Sequence, residues 1–262
     1  MSTGGSGLGG LHAVVTGGSR GIGAAAAEAL ARAGATVTIM SRDASALAAR
    51  ATDIESRGWM VDHEACDVTD DAAIDRAFTA AERRRGRVAI LVNNAGSADA
   101  APLDSTTRAL WDRMIALNLT STYACTSRVL PAMLERGHGR IVNVASTAGL
   151  RGYKTLTAYC AAKHGVIGFT RALAQETARK GVTVNAVCPG YTDTELAQRG
   201  VRNLMEGMGK SNDEALAMLT RAIPRGRLTS VDEVADAIVW LCGHGAAAVT
   251  GIALPVAGGE VG

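Results

Sequence analysis

The 262-residue chain is 47% hydrophobic and 20% charged, with 27 basic against 25 acidic residues and a net charge of +2. That length supports one well-buried core, and the charge balance excludes the basic footprint of a nucleic-acid or anionic-membrane binder. Five cysteines (Cys66, Cys125, Cys160, Cys188, Cys242) stand singly and the five histidines are as dispersed, which excludes a C-x-x-C zinc site or disulfide framework and suits a reducing cytoplasm.

In chain order, the opening MSTGGSGLGG (1–10) has neither a basic n-region nor an apolar core, so a flexible tail is expected rather than a secretory leader. Apolar runs rich in β-branched residues predict strands over 12–16 (HAVVT), 35–40 (ATVTIM), 61–66 (VDHEAC), 88–92 (VAILV), 140–145 (RIVNVA), 182–187 (VTVNAV) and 251–256 (GIALPV). Helical patterns alternate with them over 23–34, 43–58, 71–86, 106–137 and 157–181, several ending in glycine. Such alternation predicts an α/β fold, a doubly wound parallel sheet of about seven strands covered on both faces, in a single domain over 11–262. No internal repeat or linker interrupts it. The one irregular insertion, 191–229, is polar and Met-rich and follows a strand end, where doubly wound sheets place their ligands; it is the expected substrate lid. The weakly charged stretch GAAAVTGIALPVAGG is too short and glycine-broken to span a bilayer.

The first strand runs into TGGSRGIG (16–23) and then an alanine-rich helix. Gly17 and Gly21 permit a tight turn and close approach to a ligand, and Gly23 permits close helix–strand packing. With Ser19, Arg20 and Ile22 they make a candidate pyrophosphate cradle, because the helix N-terminus behind them presents unpaired N–H groups and a positive dipole end.

Later in the chain TAYCAAKHG (157–165) puts Tyr159 and Lys163 four residues apart, on one face of a helix. Ser146 stands thirteen residues before Tyr159, at the end of the fifth strand, and Asn118 lies in ALNLT on the preceding helix. A strand end and the start of the next helix converge at the carboxyl edge of such a sheet. A free phenol, with a pKa of ~10, is a poor proton-transfer partner near neutrality; a nearby ammonium shifts it toward the working range.

T-G-x-x-x-G-x-G at the first βα turn, NNAG after the fourth strand and S…Y-x-x-x-K together resemble the short-chain dehydrogenases/reductases in their single-domain form, from about residue 10 to the end. The resemblance implies a seven-stranded Rossmann sheet and hydride transfer between a nicotinamide cofactor and a carbonyl or secondary alcohol. It implies that Tyr159 is the acid/base, that Lys163 together with an oxidised nicotinamide tunes it, and that Lys163 also holds the nicotinamide ribose. Ser146 then orients the substrate carbonyl, and Asn118 completes a water-linked proton relay. It further implies that Asn93, Asn94, Ala95 and Gly96 stabilise the central sheet and line the cofactor cleft. Asp67 and Val68 of CDV are implied to meet the adenine, and Pro189, Gly190, Thr192 and Thr194 to lie by the nicotinamide. One departure stands out: the family's C-terminal strand often ends D-G-G, and this chain has Ala257 there.

The second strand ends TVTIMSRD, with Ser41 and Arg42 where NAD-preferring members carry a carboxylate for the ribose 2′-hydroxyl. Arg42 and Arg20 suit a 2′-phosphate through charge-assisted bonds, so NADP(H) is favoured over NAD(H), although Asp43 can blunt Arg42. A sugar-nucleotide epimerase or dehydratase shares Y-x-x-x-K, and the lack of a sizeable C-terminal substrate domain counts against it. A catalytically silent nucleotide-binding regulator finds no support in the intact tetrad.

STAGLRGY (146–153) and the 191–229 insertion are expected to form the pocket and its lid. Leu196, Leu204, Met205 and Met208 are candidates for an apolar slot, with helical core packing the alternative. Arg199 and Arg202 are candidates for an anionic thioester carrier, with solvated charges the alternative. The overall look is similar to 3-oxoacyl thioester and polyketide ketoreductases. A small-molecule or acyl-thioester substrate is therefore expected, with no metal, nucleic-acid or membrane partner. The family resemblance implies a homotetramer, with the helices over 106–137 and 157–181 as the seam.

Overall fold

The computed structural model describes residues 7–261; the tail expectation for residues 1–6 and the side chains of Leu196, Arg199, Asn203 and Leu204 lie outside the described residues. Seven strands, β1 (His12–Thr16), β2 (Thr36–Ser41), β3 (Val61–Ala65), β4 (Ile90–Asn93), β5 (Gly139–Val144), β6 (Val182–Pro189) and β7 (Ala253–Val256), form one sheet. Their order is β3-β2-β1-β4-β5-β6-β7, and every pairing is parallel. Strands β1, β4, β5 and β6 are buried along their whole length, which is why they read as continuous apolar runs.

The two faces are covered by different helices. On one side α1 (Gly21–Arg32), α2 (Ala44–Glu55) and α9 (Val231–Cys242) bury Leu30, Ile54, Ile238 and Leu241 against Ile39 and Val92. On the other, α3 (Asp71–Arg85), α5 (Ser121–Glu135) and α6 (Thr157–Thr177) bury Phe78, Val129, Met133 and Leu173 against Leu91 and Ile141. The chain leaves β1 toward β2 and β3, then returns to β4 on the other side of β1, so Val15 faces both Ile39 and Val92. This reversal opens the crevice at the carboxyl ends of β1 and β4 where doubly wound sheets bind ligands.

Three elements differ from the sequence expectation. The helix expected over 106–137 is α4 (Arg108–Ile115), one widened π-type turn over Ala116–Thr120, and then α5. The insertion is not irregular: it holds α7 (Glu195–Met208) and α8 (Asn212–Thr220), the second opened by a Ser211–Glu214 capping box. Helix α9, opened by the Ser230–Glu233 box, was not anticipated. The two ends of the insertion meet: Thr229 donates its N–H to the Tyr191 carbonyl at 2.9 Å, and Asp193 donates to the Thr229 carbonyl at 2.9 Å. α7 and α8 therefore stand on a clasped stem above β6.

Candidate active site

The cradle after β1 is built for close backbone approach. Gly17 (φ +66°) and Gly21 (φ +56°) adopt left-handed conformations that favour glycine. A Cβ on Gly23 would fall 2.3 Å from the Gly17 carbonyl oxygen and 2.4 Å from Asn94 Nδ2, so only glycine lets α1 start this near β4. Arg20, the residue before α1, gives no side-chain cap, and the first turn of α1 carries no acidic residue. Its N–H groups thus face the crevice uncompensated, which fits a dinucleotide pyrophosphate.

Asn94 fastens the two central strands. Its side chain donates to the carbonyls of Thr16 (3.0 Å) and Gly17 (3.2 Å). The Thr16 hydroxyl accepts from the backbone N–H of Asn94 and of Ala95, each at 3.1 Å. Behind it Asn93 donates to Thr126 and Asn143, each at 2.9 Å, and Asn143 donates to Thr170 at 2.9 Å. These bonds form a buried polar spine joining β4 and β5 to α5 and α6. Asn143 was not singled out in the sequence, where it looks like an ordinary strand residue.

Asn118, 1% exposed, sits in the widened turn. It clasps Ser97 twice, accepting from its N–H at 3.2 Å and donating to its carbonyl at 3.0 Å, and donates to the Met114 carbonyl at 3.0 Å. A Cβ on Gly96 would meet Asn118 Oδ1 at 2.6 Å and Lys163 Nζ at 3.6 Å, so Gly96 brings the NNAG loop, Asn118 and Lys163 to one place.

Ser146 follows β5 and opens a short turn over Thr147–Gly149, its hydroxyl accepting from the Ala148 N–H at 3.1 Å. Gly149 packs on α6: a Cβ there would lie 2.6 Å from the Lys163 carbonyl. That contact sets the turn against the helix turn bearing Tyr159 and Lys163. Lys163 is 4% exposed, and its ammonium donates to the Val144 carbonyl at 2.8 Å and lies 5.7 Å from the Tyr159 ring centre. Burial pulls the Lys163 pKa down to about 8. Burial pushes the Tyr159 phenol up to about 12, opposed by a hydrogen bond with Ser146. The protein's own groups therefore hold the phenol protonated. Ser146, rather than Lys163, is the group that opposes the upward shift, and the lysine ammonium is turned to the Val144 carbonyl.

After β6, Thr192 is buried and donates to the Gly190 carbonyl at 3.0 Å, and Thr194 donates to the Thr192 carbonyl at 3.2 Å. A Cβ on Gly21 would touch Thr194 Cγ2 at 3.5 Å, so the 189–194 segment closes over the glycine cradle. Near the end of β2, Arg20 pairs with Glu195, in the first turn of α7, at 2.7 Å, both side chains being exposed, and its charge also reaches Asp43. Arg42 is exposed and, among the described residues, makes no ion pair, though it helps to lower the Asp67 pKa. The Asp43 carboxylate is used as the α2 cap, accepting from Ala46 N–H at 3.0 Å and Ser45 at 2.7 Å. Asp67 accepts from the Thr69 amide (2.9 Å) and hydroxyl (2.7 Å), bonds that hold its carboxyl below the usual range, while Val68 packs into the core. Met208 faces solvent and lines no slot, whereas Met205 is half-buried; Arg202 is exposed.

With this geometry in place, comparison with known proteins decides the family. A family model for short chain dehydrogenases matches residues 11–204. The chain is a short-chain dehydrogenase. This dehydrogenase is 43% identical over 250 residues to the granaticin polyketide synthase putative ketoacyl reductase 1 of Streptomyces violaceoruber, covering 94% of this chain and 92% of that one. A putative ketoacyl reductase of Streptomyces coelicolor is 41% identical over 249 residues, covering 94% and 95%. Among solved structures, a tryptophan variant of actinorhodin polyketide ketoreductase with NADPH superimposes with a TM-score of 0.92 at 40% identity, covering 95% of this chain and 97% of that one. The dehydrogenase is an NAD(P)-dependent oxidoreductase with the single-domain Rossmann-type fold.

Proposed function

We propose that this dehydrogenase reduces a ketone, most naturally a 3-oxoacyl thioester or a polyketide ketone, with NADPH. One observation carries the reading: Ser146, Tyr159 and Lys163 converge at the carboxyl edge of the sheet with the phenol held protonated and the lysine buried beside it. A protonated phenol is the form that gives a proton to a carbonyl oxygen becoming an alkoxide. When bound, the nicotinamide supplies the hydride. Ser146 already accepts from Ala148, which leaves its own proton for the substrate oxygen or the phenol. Lys163 uses one of its three N–H donors on Val144, and the remaining donors serve the ribose hydroxyls and the proton path. The Asn118 side chain is engaged by Ser97 and Met114, so its part in a proton path runs through the main chain of the widened turn.

Arg42, which makes no ion pair among the described residues and stands at a β2 end that lacks a carboxylate, would receive the 2′-phosphate of NADPH, while Arg20 ties the lid to the cradle through Glu195. The clasped α7–α8 unit is the lid. The groove between α5 and α6, lined by Tyr123, Leu130, Phe169 and Leu173 with Tyr123 58% exposed, supports the homotetramer seam. The five cysteines are free and buried, in keeping with a cytoplasmic enzyme. No helix among the described residues is long and apolar enough to cross a membrane.

The test is NADPH consumption with acetoacetyl-CoA and with a bicyclic ketone such as 1-decalone. Turnover of either supports the reading; turnover of neither, with secondary alcohols oxidised instead, overturns it.

A further inference from the structure

Ser146 and Tyr159 are joined by a loop, 150–156, that carries no regular structure of its own. Two of its side chains converge on one distant residue. Arg151 donates to Glu260 Oε1 at 2.7 Å, and Tyr153 also hydrogen-bonds that oxygen. Tyr153 is bonded in turn to the Thr147 hydroxyl at 2.8 Å. A phenol has a single proton and an ionised carboxylate only accepts. The order that satisfies every group runs from the Thr147 hydroxyl to Tyr153 and from Tyr153 to Glu260. Thr147 is 4% exposed and directly follows Ser146. The guanidinium of Arg151 lies 4.7 Å over the Tyr153 ring centre, closing the cluster from outside.

Glu260 comes from the far end of the chain, beyond β7, and its side chain is fully buried. Its second oxygen, Oε2, has no hydrogen-bond partner among the described residues. A Cβ on Gly190 would lie 2.6 Å from that oxygen and 2.9 Å from the Ala257 Cβ. The carboxylate therefore stands over the backbone after β6, beside the alanine that departs from the family's usual aspartate. A buried carboxylate with one oxygen unsatisfied is costly, and an apolar residue would fill the space more cheaply. Its retention needs a reason, and the bonds to Arg151 and Tyr153 supply one.

We propose that Glu260 is a positioning residue: through Tyr153 and Arg151 it fixes the loop between Ser146 and Tyr159, and so holds the two hydroxyls in register for proton transfer. The proposal rests on the reading of Ser146 and Tyr159 as the reacting pair. It makes the C-terminal segment part of the active-site frame, with the carboxylate supplied three positions after Ala257. The effect on rate follows from geometry, since small misplacements of reacting groups cost on the order of tenfold to a hundredfold.

The experiment compares Glu260→Gln, Tyr153→Phe and the double variant with the unaltered enzyme, using acetoacetyl-CoA and NADPH as probes. Four quantities are read: kcat, KM, NADPH affinity by fluorescence titration, and the rate of tryptic cleavage after Arg151. Each single variant is expected to lower kcat by about tenfold or more with NADPH affinity unchanged and cleavage faster. The double variant is expected to be no worse than the poorer single one, because both break the same chain. A kcat within about twofold of the unaltered enzyme in both single variants, whatever happens to thermal stability, overturns the proposal. Should Glu260→Gln fail to fold, Tyr153→Phe alone decides, since it removes only a hydroxyl. Tyr159→Phe is run in parallel: if it is inactive while the other variants are normal, only the positioning role has failed. If it turns over normally, the catalytic reading has failed and the proposal falls with it.

Discussion

Lys163 donates from its buried ammonium to the main-chain carbonyl of Val144 at 2.8 Å, tying the helix that carries Tyr159 to the strand that leads to Ser146. The bond fixes where the lysine points, and the burial that goes with it sets the lysine's protonation. Both consequences can be measured.

The first concerns stability and pH. The Lys163 pKa is about 8 in the fold against 10.5 for a free lysine. Between these values the unfolded chain binds the proton and the folded protein does not, so stability rises with pH through that window. Below about pH 8 the folded protein carries the full cost of the buried charge, up to about 3 kcal/mol. Lys163→Met removes the titration. Thermal unfolding of the cofactor-free proteins should show the unaltered enzyme gaining on the variant from pH 8 to 10.5; parallel curves would count against the buried-charge account.

Cofactor choice depends on the end of β2. A charge-assisted contact from Arg42 to a 2′-phosphate is worth about 1.5–3 kcal/mol, hence roughly tenfold or more in favour of NADPH. Ser41→Asp with Arg42→Ala should reverse the ratio of kcat/KM for NADPH over NADH, because the new carboxylate repels phosphate and accepts a 2′-hydroxyl. An unaltered enzyme preferring NADH would show that Arg42 serves no phosphate.

At the cradle, Gly23→Ala would drive a methyl group against the Gly17 carbonyl and Asn94. The β1–α1 turn must then open. NADPH affinity, read by fluorescence titration, should weaken by an order of magnitude or more, with a stability loss of about 1–3 kcal/mol. Unchanged affinity would mean that the tight turn is not what receives the pyrophosphate.

Much of this was legible in the sequence because the signals are local. The glycines of TGGSRGIG and the four-residue step from Tyr159 to Lys163 encode geometry that neighbouring residues enforce. Strands β1, β4, β5 and β6 read correctly because burial on both faces leaves long apolar runs. The π-type turn at Asn118 was not legible; its side chain bonds Ser97 in another segment, a contact no local pattern encodes. How far the pocket desolvates Tyr159 and Lys163 was not legible either, since proximity in sequence says nothing about burial. Glu260 was missed entirely. The eye rests on Ala257 as a missing acid, and only the fold brings residue 260 to Arg151 and Tyr153. The engagement of Arg20 by Glu195 is equally long-range, and Glu195 looked like part of a polar loop.

The central claim is that the Tyr159 phenol gives the proton in ketone reduction, and the most direct measurement is kcat for acetoacetyl-CoA with saturating NADPH in Tyr159→Phe. The variant loses one hydroxyl and keeps the cradle, so NADPH affinity should hold while kcat falls by on the order of 10² or more. Turnover close to that of the unaltered enzyme, with NADPH still bound, would contradict the account.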